Sequence, residues 1–206
     1  MRTKTLAAAA GAVALAAAGL PLALAGSSSA APDQTTFRMV RSSGAVAAGC
    51  LEDARARVTI TQRGPVEVMD VTAWGLPAKR EFDLFVTQVP DGPFGMAWYQ
   101  GDMETDEHGR ASGRFIGRFN EETFIVAPGT VPAPTPHDAL DASSNPATGP
   151  IHTFHLGLWF NSPRVAERAG CPNTVTPFNG EHHAGIQALS TTQFADQNGP
   201  LGHITP

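Results

Sequence analysis

The stretch MAWYQGDMETDEHGRASGRFIGRF, Met96–Phe119, reads as two strands around a tight turn. Glu107-His108-Gly109 fits a three-residue loop with Gly109 in the left-handed bulge position. That loop sets a register in which Asp106 faces Arg110, Asp102 faces Arg114 and Trp98 faces Arg118, giving one face of acid–arginine pairs and a cation–π contact. The opposite face then holds Tyr99 over Gly117 and Gly101 opposite Phe115, beside Met103 and Phe119. A two-residue loop would instead place Asp102 against Gly113.

Outward from this segment, short runs rich in Val, Thr, Ile and Phe recur between Gly and Pro turn signals. They predict strands at 57–62, 66–74, 82–89, 96–105, 110–119, 123–126 and 152–160, with shorter pieces at 174–178 and 186–190. Helical periodicity is confined to Pro163–Ala169, with Ser162 before it, Pro in its first turn and Gly170 as its stop. The pattern predicts an all-β chain: an antiparallel β-sandwich with Greek-key connections and one short helix.

At the start of the chain, Arg2 and Lys4 precede an apolar run from Leu6 to Ala25 that closes on Ala23-Leu24-Ala25, the pattern of a signal peptide over residues 1–25. Ser28-Ser29-Ala30 is a second cleavage point, and a retained membrane anchor is the competing reading. Ala47-Ala48-Gly49-Cys50 imitates a lipid-attachment box, but it lies too far from the apolar run to act as one. Residues 26–45 are expected to form a flexible tail and 46–206 a single domain, in which 127–150, including Pro132-Ala133-Pro134-Thr135-Pro136, makes a long surface loop.

The chain has 14 Lys and Arg against 19 Asp and Glu; without Arg2 and Lys4 the net charge is about −7. An acid surplus with dispersed cations argues against a nucleic-acid partner, and cleavage of the leader would leave no membrane partner. Export also gives the two cysteines, Cys50 and Cys171, one expected state, a disulfide closing a long loop.

Residues that could carry chemistry fall into three groups. Asp102-x-Glu104-x-Asp106 resembles the opening of a calcium loop, but the Gly and Glu that such a loop needs later are replaced by Glu107 and Gly113. His152, His155, His182 and His183 cluster in the last third, where two or three imidazoles could hold zinc or copper. Strand alternation turns His152 and His155 to opposite sides, and leaves His155 as a surface neighbour of Trp159 in the alternative reading. Trp98, Tyr99 and Trp159 are candidates for stacking on a ligand, or for burial beneath a loop. No GxSxG elbow or HExxH helix is present, so no catalytic residue is assigned.

Phe82-Asp83-Leu84-Phe85-Val86, Trp98-Tyr99-Gln100-Gly101-Asp102 and Phe115-Ile116-Gly117-Arg118-Phe119 resemble a group of secreted bacterial β-rich proteins with no assigned activity. Ile151–Phe160 and Cys171–Gly185 extend that likeness, which implies export and a β-rich fold. Gly75-Leu76-Pro77, with Thr105-Asp106 and Gly109, resembles turns of small extracellular sandwich modules. The reading these features favour is a secreted binding or interaction module with an extracellular ligand or protein partner. The alternative is a secreted metal-binding protein or a hydrolase without a recognisable motif, centred on the histidines.

Overall fold

Alternation of apolar and polar residues builds the first layer. In β2 (Arg55–Arg63) and β3 (Val66–Trp74), Val58, Ile60, Met69 and Val71 are buried, whereas Arg55, Arg57 and Thr72 are exposed. The computed structural model describes residues 33–122, 125–126, 151–176 and 183–204. The remaining elements are β1 (Gln34–Arg41), α1 (Ser43–Ala47), β4 (Glu81–Thr87), β5 (Met96–Glu104), β6 (Ala111–Gly117) and the two-residue strands β7 (Glu121–Glu122), β8 (Ile125–Val126) and β9 (Ile151–His152). They are followed by β10 (His155–Phe160), α2 (Pro163–Arg168), β11 (Gln187–Ser190) and a 3-10 turn at Pro200–His203.

The chain is all-β and antiparallel, as expected. Nine strands follow one another in the order β6-β3-β2-β1-β11-β10-β4-β5-β8, a continuous curled sheet, while β7 and β9 pair separately. β1 turns the corner: Gln34 to Met39 pair with β2, and Val40 and Arg41 pair with β11. At the open seam β6 and β5 are not joined by a ladder, yet Phe115 of β6 lies against Gly101 of β5, where a Cβ would come within 2.8 Å of its ring. β4 and β5 form a hairpin, and β6 then returns to lie beside β3, which is a Greek-key connection. Between the layers Phe82, Leu84, Leu158, Phe160 and Met69 are buried, with the Phe82 and Phe160 rings 4.7 Å apart. Each such side chain contributes about 1.5–3 kcal/mol by leaving water.

The Met96–Phe119 segment departs from its expected register. The turn forms as read, with Gly109 at φ 70° and Asp106 N–H donating to the Arg110 carbonyl at 2.8 Å. The flanking strands, however, pair elsewhere: Asp102 faces Asp83, Arg114 faces Asp70, and Arg118 meets Glu67 at 3.4 Å instead of Trp98. The cause lies in the turn itself. Thr105 Oγ donates to the Pro77 carbonyl at 2.7 Å, and Leu76 N–H donates to the Gly109 carbonyl at 3.2 Å. The two turns singled out in the sequence therefore dock on each other, and the chain arches from one layer to the other instead of folding back as a hairpin.

A second correction concerns the described part, 33–45, of the expected tail 26–45, whose first residues lie outside the described ones. β1 lies inside it and occupies the middle of the sheet order, with Phe37 and Met39 buried, and α1 follows, capped by Ser42 Oγ on the Ala45 N–H. Only two apolar side chains alternate there among Thr and Arg, too weak a signal for a strand. The short helix α2 matches its expected bounds to within a residue, with Ser162 as its cap. The leader and the Pro-rich 127–150 segment lie outside the described residues.

Candidate functional site

The two layers differ in what covers their outer faces. Over the β11-β10-β4 side, Gln88–Gly95 folds down: Gln187 Nε2 and Ser190 Oγ both donate to the Pro90 carbonyl, and the Phe94 ring meets Trp159 edge-on at 5.0 Å. Residues 191–201 cover the same side, so every residue of β10 is buried. On the β1-β2-β3-β6 side the outward residues Thr36, Arg38, Arg57, Thr72, Ser112 and Arg114 are all exposed.

Strand register sets that bare face in rows. Arg38 is the cross-strand partner of Arg57, Arg57 of Thr72, and Thr72 of Ser112. In the next row Thr36, Thr59, Asp70 and Arg114 follow one another, with Asp70 and Arg114 joined by a 2.6 Å ion pair. On the other side Arg55 faces Trp74. Arg38, Arg55 and Arg57 make no ion pair with another described residue. Like charges directly opposite on a sheet repel, so the Arg38–Arg57 row carries a cost that the fold itself does not offset. Beside Thr72 and Ser112 a groove of about 760 Å³ opens, bounded by Lys79, Glu104 and Arg110.

On the other layer two rungs of β4 and β5 are acidic. Glu81 is opposite Glu104 and Asp83 is opposite Asp102. Burial, then the charge and hydrogen bond of Asp102, then Glu81, push the Asp83 carboxyl up to about 7. Tyr99 O–H donates to Asp102 Oδ1 at 2.6 Å, and burial followed by that hydrogen bond raises its phenol above the ordinary value. Asp106, the third acid of the calcium-like run, instead accepts the Arg110 and, less strongly, the His108 N–H groups of its own turn, which hold its carboxyl below the usual range.

The histidines are not brought together. His155 is fully buried, not a surface neighbour of Trp159, because the 191–201 segment covers that side of β10. Its Nε2–H donates to the Asp196 carbonyl at 3.0 Å, which leaves Nδ1 to accept from Thr191 Oγ at 2.9 Å. Both ring nitrogens are engaged, and burial lowers its pKa and keeps the ring neutral. His152 is exposed and stacks on Phe154, and His183 is exposed; His182 lies outside the described residues. Among the described residues no three His, Cys, Asp or Glu side chains converge on a point that could hold a metal ion.

The aromatic candidates also separate. Trp159 is fully buried between Phe85 and Phe94, Trp98 packs half-buried against the main core, and Tyr99 is 41% exposed on the other face of β5. Tyr99 and Trp159 both meet the Phe85 ring edge-on at 5.5 Å, but Trp159 is sealed from solvent and Tyr99 alone of the two is exposed. Cys50 and Cys171 are joined in a disulfide, with their Cα atoms 5.5 Å apart. Among the described residues no helix is long and apolar enough to cross a membrane.

Neither the arginine face nor the acidic rungs was found from sequence, because their members come from separate strands and meet only through register. The signal present was weaker: Arg55 and Arg57 alternate with Ala56 and Val58 in β2. No protein-family model matches the chain, and no curated protein matches it.

Proposed function

We propose that the protein is exported and acts by binding, with the bare outer face of β1-β2-β3-β6 as its contact surface. The leader-like segment 1–25 and the Cys50–Cys171 disulfide support export, since disulfides persist in oxidising compartments. The observation that carries the binding reading is the exposed Arg38–Arg57 pair, two like charges set opposite each other on an uncovered sheet. A partner bearing anions would relieve that repulsion, and the other layer has no comparable open face beside β10 and β11. The metal-binding or hydrolytic reading has less support, because His155 spends both nitrogens inside the fold.

The test uses full-length protein secreted by an exporting host, labelled and incubated with intact cells of the producing strain. Wild type is retained on the cells, and Arg38→Glu/Arg57→Glu is not. Equal retention of the two proteins, or retention of neither, excludes this face as the contact surface. Sequencing the N-terminus of the secreted protein should place cleavage after Ala25 or Ala30; an uncleaved chain would overturn the export reading.

A further inference from the structure

We infer that the partner of this face is a carboxylate-bearing polysaccharide, an inference that rests on the reading of the face as a contact surface. Arg38 and Arg57 stand on adjacent strands, about 4.8 Å apart at the backbone, with no described acid beside them. The one acid in the neighbouring row, Asp70, is held by Arg114. Two free guanidinium forks so placed are built to take carboxylates, which they bind with paired hydrogen bonds.

The rest of the face distinguishes a sugar polymer from an acidic protein. On the rung of the two arginines and the rung of Asp70 stand the hydroxyls of Thr36, Thr59, Thr72 and Ser112, while apolar side chains of the face, Val68 and the exposed Ile116, lie two rungs away at the β3–β6 end. Protein interfaces are anchored by apolar or aromatic residues in a desolvated centre, whereas here the centre is two arginines among hydroxyls and the apolar residues Ile116 and Trp74 stand toward the edges. Hydroxyls interleaved with guanidiniums match a hydrated chain that offers hydroxyl and carboxylate groups in alternation. At the Arg55 rung, Trp74 alternates with buried Ala73 and is half-buried, which adds one aromatic side chain at that end of the face. A nucleic acid fits less well. Its dense phosphate charge meets a chain of net charge −5, whereas a uronate polymer carries one carboxylate per sugar.

The experiment measures binding of the full secreted protein to polygalacturonate, dextran, poly-glutamate and duplex DNA. Wild type should bind polygalacturonate, with affinity falling as salt is raised. Arg38→Gln/Arg57→Gln should weaken that binding roughly tenfold or more. Arg168→Gln, on α2, should leave it unchanged. The double variant should melt no lower than wild type, since it relieves a like-charge pair, and so lost binding is not lost folding. Equal or tighter binding to dextran, poly-glutamate or DNA overturns the polysaccharide assignment. If wild type ignores polygalacturonate while cell retention still depends on Arg38 and Arg57, the partner is wrong and the contact surface stands. If the double variant binds polygalacturonate as wild type does, both fail.

Discussion

Asp83 of β4 and Asp102 of β5 are directly opposed cross-strand partners, on a rung next to the opposed Glu81 and Glu104. Burial disfavours the charged Asp83 carboxylate and the opposed Asp102 charge adds to that, so Asp83 keeps its proton to near neutrality. Asp83 moves from 3.8 to about 7 on folding, and the folded state therefore binds this proton more tightly than the unfolded chain. The stability it confers is fully present below about pH 4 and is lost as pH rises through about 7. Asp83→Asn keeps a hydrogen-bonding side chain and removes the charge. Its Tm should gain on wild type steadily between pH 4 and 7 and hold that gain above; parallel profiles would refute the raised Asp83 carboxyl.

Glu67 and Asp70 provide a contrast on one strand. Glu67 is 1% exposed; its Oε2 accepts the Phe119 N–H at 2.7 Å, which fixes the chain as it leaves β6. Asp70 meets Arg114 at a similar distance, but the two side chains are 44% and 70% exposed. Burial should decide the outcome. Glu67→Ala should cost about 3 kcal/mol, because it leaves buried donors without their acceptor. Asp70→Ala should cost under about 1 kcal/mol, with a cost that shrinks in salt. Urea midpoints of the two variants at low and high ionic strength give the comparison, and equal costs would contradict it.

What was legible in the sequence depended on how local the controlling interaction is. β3 was read with its observed bounds because Met69, Val71 and Ala73 alternate cleanly, and the Gly109 turn because its chemistry is contained in five residues. The partner of β5 was not legible. The local turn suggested β6, yet the apolar run of β4 competes for the same edge, and docking of Thr105 on Pro77 points the chain away. β1 was missed because its centrality comes from the strands on either side and not from its own composition. The arginine face and the Asp83–Asp102 pair are both products of non-local register, which no spacing along the chain reveals.

His155 should behave as a structural residue. Folding lowers its pKa from 6.5 through burial, so the unfolded chain takes up the proton first and this contribution to stability is lost as pH falls below about 6.5. His155→Gln should lose stability at pH 7.5 and lose proportionately less at pH 5.5, where wild type has already weakened. Both proteins should give the same Tm with and without EDTA. A Tm for wild type that drops on chelation, by an amount absent in the variant, would make this ring a metal ligand after all.

The disulfide joins the connection after α1 to the connection after α2, across 121 residues of chain. Its two ends are already placed by backbone: Cys50 N–H donates to the Ala45 carbonyl at 3.1 Å and Cys171 N–H to the Ala166 carbonyl at 3.0 Å. The native positions of the two residues therefore do not depend on the bond, and its contribution lies mainly in restricting the unfolded chain. For a loop of this length the chain-entropy model gives about 4–5 kcal/mol, an upper figure if the reduced chain stays partly compact. Cys50→Ala/Cys171→Ala should keep the wild-type circular dichroism spectrum while its urea midpoint falls by an amount within that limit. A spectrum that changes with the midpoint would mean that the bond shapes the native state, and a midpoint that stays put would mean that the open loop was already constrained.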